Sequence, residues 1–372
     1  MSDLALTEEQ LEFQKLAREF AENEIAPKAH ECDQKSKLPL DVLKQAWELG
    51  LSTAMVPDDF GGLGLPLLEG CVIAEELAAG CSGIYGAIEA NTFAQLILLE
   101  LASEEQKKKY LQPMTEAPIL VGIDAALLSG KGSKVEGFRV KNDHSISGVV
   151  TVADAENMEW FLLGVDGGNR MHFYIVPKDA KGVSVGESIG SMGRKALNLT
   201  TIQLNNVQVA VSETMEASST QWSEICDKTN CLLGAAAVGI ARSAMQNAIQ
   251  YSKERKTFGV PISQHQSIGF MLSDMAKDIE AARLLVYRAC TTVGVREPGV
   301  VSNSVARTFA QDMAMRVATD AVQVYGGYGY SKEYPVEKLM RDAKAYQVFQ
   351  GSSAEQKIEI GRQLVSAYCP MT

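Results

Sequence analysis

Near the C-terminus the chain reads Tyr346-Gln347-Val348-Phe349-Gln350-Gly351-Ser352-Ser353. The Gly-Ser-Ser turn interrupts two helical patterns, Glu333 to Lys344 before it and Ala354 to Arg362 after it. Taken alone, such a turn is a plain connection between helices. Two upstream stretches give it a second meaning: Arg255-Lys256-Thr257-Phe258-Gly259, and Gln323-Val324-Tyr325-Gly326-Gly327-Tyr328-Gly329-Tyr330.

Arginine forks onto a phosphate, amides at a helix start receive further oxygens, and phenylalanine flanks a ring system. Residues 255–259, with Ile262, His265 and Gln266 close behind, are therefore able to meet a phosphate and flank a ring system. The same piece also reads as a helix C-terminus whose basic residues complement the dipole. The glycines of the second stretch permit close backbone approach to a ligand or a neighbouring subunit, and equally serve an interhelical turn.

Working outward, Thr7 to Gln10 spell a capping box, and Phe13, Leu16, Ala17, Phe20 and Ala21 repeat at helical spacing up to a stop predicted at Pro27. Helices are expected from Pro39 to Leu49, Leu68 to Ala79 and Ala87 to Ala102, with Ser103 to Gln106 capping another. Between them, Gly62-Leu63-Gly64 lacks a preceding strand and the full spacing of a dinucleotide fingerprint. From Ile119 the β-branched residues rise and alternate, in runs at 145–152, 160–165, 171–177 and 200–207 broken by Gly, Asn and Asp. Such runs read as an antiparallel sheet or barrel rather than a βαβ unit. After Trp222 helical patterns return, at 232–251, 265–293 and 301–324. The blocks predict an α+β protein of three domains: helical 1–118, β 119–213 and helical 214–372.

The 372 residues suffice for several cores. A net charge of −11 and the shortness of the Lys107-Lys108-Lys109 run argue against a nucleic-acid surface. Seven scattered cysteines without a Cys-x-x-Cys pair suggest neither a disulfide framework nor zinc. Four dispersed histidines offer no metal set and no Ser-His-Asp case. No apolar run reads as a membrane span, and the acidic N-terminus resembles no targeting segment, so a cytoplasmic protein is the expectation.

The order of the motifs, Arg255 to Gly259, His265-Gln266, the 323–330 stretch, Glu333 to Lys344 and the Gly-Ser-Ser turn, closely resembles the acyl-CoA dehydrogenase family, medium-chain members in particular. Asp58 to Leu65, Ile88 to Asn91 and Gly193 to Ala196 extend the resemblance over nearly the whole chain. It implies an N-terminal helical domain, a middle antiparallel β domain and a C-terminal four-helix bundle. It also implies FAD shared between subunits of a dimer or tetramer, an acyl-CoA thioester against the flavin, and an electron-transferring flavoprotein as electron acceptor. Carried over by position, Arg255, Thr257, Phe258, Ile262, His265 and Gln266 meet a neighbouring chain's FAD. Gln323, Gly326 and Gly327 line its adenosine-diphosphate part, Ser352 lies near the dinucleotide, and Ser133, Thr229 and Gly351 belong to the substrate side.

Several positions depart from that pattern. The family's catalytic glutamate is Gln350 here, and an amide is no base near neutral pH. The alternative glutamate position is Thr229, with Glu224 and Asp227 near it but off register. The flavin-bonding threonine is Leu127, the Trp-x-Thr element is replaced around Thr151 to Asp154, and an arginine beside the thioester is Asn230. The motifs that serve a neighbour's FAD stay whole. The expectation is therefore a catalytically degenerate or specialised subunit of a heteromeric acyl-CoA dehydrogenase, paired with a homologous catalytic subunit. Two alternatives stay open: an FAD enzyme on the same scaffold that needs no base at this position (an enoyl-CoA reductase, an elimination enzyme, or a dehydrogenase using another carboxylate, with Asp124 and Glu89 as candidates by analogy), and a non-redox acyl-CoA-binding protein.

Overall fold

The computed structural model describes residues 5–127, 139–140, 144–295, 303–348 and 351–368. Helix α1 (Glu8–Phe20) starts at Thr7, whose hydroxyl accepts from the Gln10 N–H while the Gln10 side chain accepts from the Thr7 N–H. The stop predicted at Pro27 does not occur. A π-helical turn (Ala21–Ile25) and a 3-10 turn (Ala26–Lys28) carry the chain on into α2 (Ala29–Lys35). Pro27 sits in the first turn of its segment, where the missing N–H has no intrahelical partner to lose.

Helix α3 (Leu40–Glu48) leads through the Asp58 to Leu65 turn to α4 (Leu67–Leu101). By length and composition α4 could cross a membrane, but 89% of its most apolar window is buried inside the fold. Extended backbone at Cys81 divides it, as the two separate helical patterns of the sequence anticipate. Helix α5 (Glu104–Gln106), a π-helical turn (Lys107–Leu111) and α6 (Gln112–Glu116) complete this part.

The middle part holds two four-stranded sheets, ordered β1-β4-β5-β8 and β2-β3-β7-β6. The strands are β1 (Val121–Ile123), β2 (Arg139–Val140), β3 (Ser145–Ala153), β4 (Trp160–Asp166), β5 (Arg170–Pro177), β6 (Val183–Ser188), β7 (Leu199–Gln208) and β8 (Thr214–Ser218). The four alternating runs of the sequence are β3, β4, β5 and β7. Every strand pair is antiparallel except β1 with β4, which runs parallel. Strand β8 carries the sheet past residue 213 to Ser218; with only Met215 and Ala217 buried, its alternation is too short to read.

Helix α7 (Ser219–Glu254) then runs against α4 and forms the axis of a bundle with α8 (Gln266–Cys290), α9 (Asn303–Tyr325) and α10 (Pro335–Val348). Between α7 and α8 lies a small hairpin of β9 (Lys256–Thr257) and β10 (Val260–Pro261). Helix α11 (Ser353–Tyr368) packs on α9 as a fifth member. Glu75 and Glu76 of α4 pair with Arg18, Arg242 and Arg283, tying α1, α7 and α8 to it.

All three parts meet at one buried ionic junction. Arg194, in left-handed backbone before β7, gives its N–H to Asp342 Oδ1 at 2.6 Å and its guanidinium to Glu89 on α4. The guanidinium also lies 4.4 Å from the Tyr346 ring centroid, and the Tyr346 hydroxyl donates to Glu89 at 2.7 Å. Asp342 further accepts from Ser82 and from Lys338. Burial alone would raise the Asp342 carboxyl, but the Lys338 charge and the three donors outweigh it and hold the acid below its usual range. A lowered folded-state pKa contributes stability that is complete above the unfolded value of 3.8 and fades as pH falls below it. In urea denaturation from pH 7 to pH 3, the stability gap between wild type and Asp342→Asn should therefore be largest above pH 4 and narrow below it. A gap that stays constant across the range would contradict this account.

Candidate functional site

Two concave regions lie at the ends of the bundle helices. The first is built where α7 stops. Arg255 leaves helical geometry, and the chain turns through Phe258 at φ +51° and Gly259 at φ +84°. Positive φ at both central positions is the type I′ turn that suits a two-residue hairpin. A phenylalanine in that region is strained by about 1–3 kcal/mol, and such strain gathers at ligand clamps. Its ring is 98% exposed at the lip of the groove.

Behind this lip lies a groove of about 510 Å³ lined by Arg255, Thr257, Ile262, Tyr251, Tyr325 and the Gly326-Gly327 pair, among others. A side chain at either glycine would meet nothing within 4 Å, so the backbone faces open space. Thr257 Oγ1 and His265 Nε2 are 2.8 Å apart, which fixes the hairpin to the start of α8. Tyr251 and Tyr325 stack at 4.0 Å between centroids, and the Arg255 guanidinium lies 5.7 Å from the Tyr328 ring. The groove thus joins a cation and bare backbone to flat aromatic faces, a combination suited to phosphates linked to a ring. Gln266 and Gln323 are exposed and outside its lining, and Ser352 lies elsewhere, capping α11 against Glu355.

The second region is a cavity of about 410 Å³ between the β4–β5 turn, α7, α9 and α11. Thr229, Asn230 and Asp227 of α7 line it, with Ser304 and Arg307 of α9 and Glu355 of α11. Arg307 is 1% exposed. It donates to Asn230 Oδ1 at 2.9 Å and to the Gly351 carbonyl at 3.1 Å. Burial pulls its pKa down to about 10 against the through-space pull of Cys226, Glu89 and Glu355. Gln350 and Ser133 lie outside the described residues. Sequence reasoning passed over Arg307, because one arginine on a helix carries no sign of the partner it will meet. The stacked pair Tyr251 and Tyr325 was missed for the same reason.

A model of the acyl-CoA dehydrogenase N-terminal domain matches residues 7–117, and one of the acyl-CoA dehydrogenase C-terminal domain matches residues 227–365. The chain is 33% identical to a probable acyl-CoA dehydrogenase of Mycobacterium leprae, covering 97% of this chain and 96% of that one. The chain belongs to the acyl-CoA dehydrogenase family. It is also 31% identical to a probable medium-chain specific acyl-CoA dehydrogenase of Caenorhabditis briggsae, over 97% of this chain and 91% of the relative. Among solved structures, butyryl-CoA dehydrogenase from Megasphaera elsdenii superposes with a TM-score of 0.88 at 29% identity, over 98% of this chain and 100% of that one.

Within an acyl-CoA dehydrogenase, the residues can be tested against the FAD that the family implies. The groove at Arg255 fits an anionic dinucleotide. At the position where the resemblance sets a flavin-bonding threonine the fit is poorer: Leu127 is buried in the β domain against Gly164, where a Cβ would meet its side chain at 2.0 Å. Asp154 is likewise buried and accepts from Asn157 and Asn198. Of the candidate carboxylates, Glu89 is held by Arg194 and Tyr346, and the buried Asp124 accepts from the Ala126 N–H. Among the described residues, no group of three or more His, Cys, Asp or Glu could hold a metal ion.

Proposed function

We propose that this acyl-CoA dehydrogenase-like flavoprotein is a specialised subunit of a heteromeric acyl-CoA dehydrogenase. It completes the FAD site of a homologous catalytic partner and does not itself run the α,β-desaturation. FAD, when bound, takes up the hydride that such a desaturation releases, and an electron-transferring flavoprotein would then receive the electrons. What this chain contributes is the exposed hairpin and groove: Arg255 for phosphate charge, Gly326 and Gly327 for close backbone approach, and Phe258 for a ring face. Gln350 stands in the sequence where the family's catalytic glutamate is expected, and an amide there withholds proton abstraction.

The observation that carries this reading is the asymmetry of the two faces. The outward hairpin holds Phe258 in a strained, 98% exposed position beside the Arg255 groove, whereas Leu127, at the position expected to bond the flavin, is turned into the β core. Flavin counting on the native complex tests it, with about one flavin expected for every two chains if two homologous subunits share sites. A chain that binds a full complement of flavin when purified alone, and bleaches it with an acyl-CoA, would overturn the reading.

A further inference from the structure

We infer that Cys71 and Cys290 form a reversible disulfide, a site of oxidative modification that ties α4 to the end of α8. Neither residue lines the groove or the cavity described above. The cysteines of the described residues are free thiols. Three of them nevertheless converge in the bundle core from three helices: Cys71 on α4, Cys231 on α7 and Cys290 as the last residue of α8. Cys290 Sγ donates to Cys71 Sγ at 3.6 Å, which is sulfur-to-sulfur contact. A disulfide holds its sulfurs about 2.05 Å apart, so the pair has only to close from contact to bonding distance. Cys231 hydrogen-bonds the same Cys290, but its sulfur is already engaged: it accepts from Asn303 Nδ2 at 3.2 Å, and that amide also donates to the Ala289 carbonyl at 2.7 Å. A disulfide at Cys231 would leave the amide a poorer acceptor, whereas Cys71 gives up only the bond to Cys290 that the disulfide replaces.

The oxidant is a hydroperoxide. Cys290 is half-buried at its helix end while Cys71 is fully buried, so Cys290 is the reachable sulfur. With hydrogen peroxide, the O–O bond breaks as this sulfur takes one oxygen and becomes a sulfenic acid, releasing one water. The Cys71 sulfur then displaces that oxygen, which leaves as a second water with the Cys71 thiol proton. Two thiols and one peroxide thus give one disulfide and two waters, the two electrons coming from the sulfurs. Burial raises the Cys71 thiol; at Cys290, against the hydrogen bond from Cys231, the bond to Cys71 and burial have the same effect. Little thiolate is present at neutral pH, so the pair reacts slowly and answers sustained exposure to oxidant. The new bond would close a loop between positions 219 residues apart, on helices already joined by Glu75 and Arg283, and closing so long a loop stabilises the oxidised fold.

Peroxide treatment of the full chain tests this, at a dose that converts the 53% exposed Met192 to its sulfoxide, followed by alkylation of the unfolded protein and peptide mass spectrometry. The expected result is a peptide pair linked through Cys71 and Cys290, lighter by two hydrogens and separated by dithiothreitol, together with a higher melting temperature for the oxidised chain. Cys231→Ser should leave the link in place. Cys290→Ser should abolish both the link and the rise in melting temperature. Alkylation of both Cys71 and Cys290 at that dose, a link from Cys290 to Cys231 instead, or a Cys290 carried to the sulfinic acid without any link would each overturn the inference.

Discussion

Arg194→Met should lose about 3–5 kcal/mol of stability in chemical denaturation, the cost of removing one partner from a buried ion pair. The substitution leaves Glu89, itself 1% exposed, facing the space of a guanidinium that had neutralised it. It also removes the cation from the Tyr346 ring and the Arg194 Nε donor to the Ser82 carbonyl. The double variant Arg194→Met/Glu89→Gln discriminates charge from packing. The amide introduced by Glu89→Gln can still accept from the Tyr346 hydroxyl, and a neutral pair of similar volume is often no less stable than the ionic one. Most of the loss should therefore be recovered in the double variant. A single variant that loses under about 1 kcal/mol would show that the junction carries no buried charge worth the name.

This junction also marks how far the sequence could be read. Capping boxes at Thr7 and Ser103 and the strand alternation from Ser145 to Ala153 are local signals, and each appears in the fold. So does the order of helical, β and helical blocks, because periodicity survives in short windows. The pairing of Glu89 with Arg194 spans 105 residues, and that of Asn230 with Arg307 spans 77. Neither has a local signature. Arg194 sits in left-handed backbone at φ +54°, a conformation no pattern of hydrophobic residues announces. The continuation past Pro27 was hidden for a different reason: a proline predicts a stop inside an α-helix, but a π turn before it resets the register. At the groove, Arg255, Gly326 and Gly327 belong to motifs visible in the sequence, whereas the stacking of Tyr251 on Tyr325 has no local signature.

The double variant Arg255→Ala/Phe258→Ala should strip flavin from the native complex. A guanidinium–phosphate contact contributes roughly 1.5–3 kcal/mol, and an aromatic face against a ring adds about 0.5–1.5 kcal/mol. Together these predict a rise in the flavin dissociation constant of roughly 30- to 2,000-fold. Both side chains are exposed in the isolated chain, and Phe258 touches His265 only edge-on at 6.3 Å, so the fold should not depend on them. Replacing Phe258 also leaves a strained φ of +51° behind, which alanine tolerates no worse than phenylalanine does. Melting of the isolated variant should match the wild type while the reconstituted complex loses its visible absorbance on gel filtration. The contrast separates a clamp from a structural hairpin, because a structural role would lower the melting temperature of the lone chain as well. Full retention of flavin with both residues removed would mean that the hairpin serves no neighbour. The asymmetry between the outward hairpin and the buried Leu127 would then have no functional content.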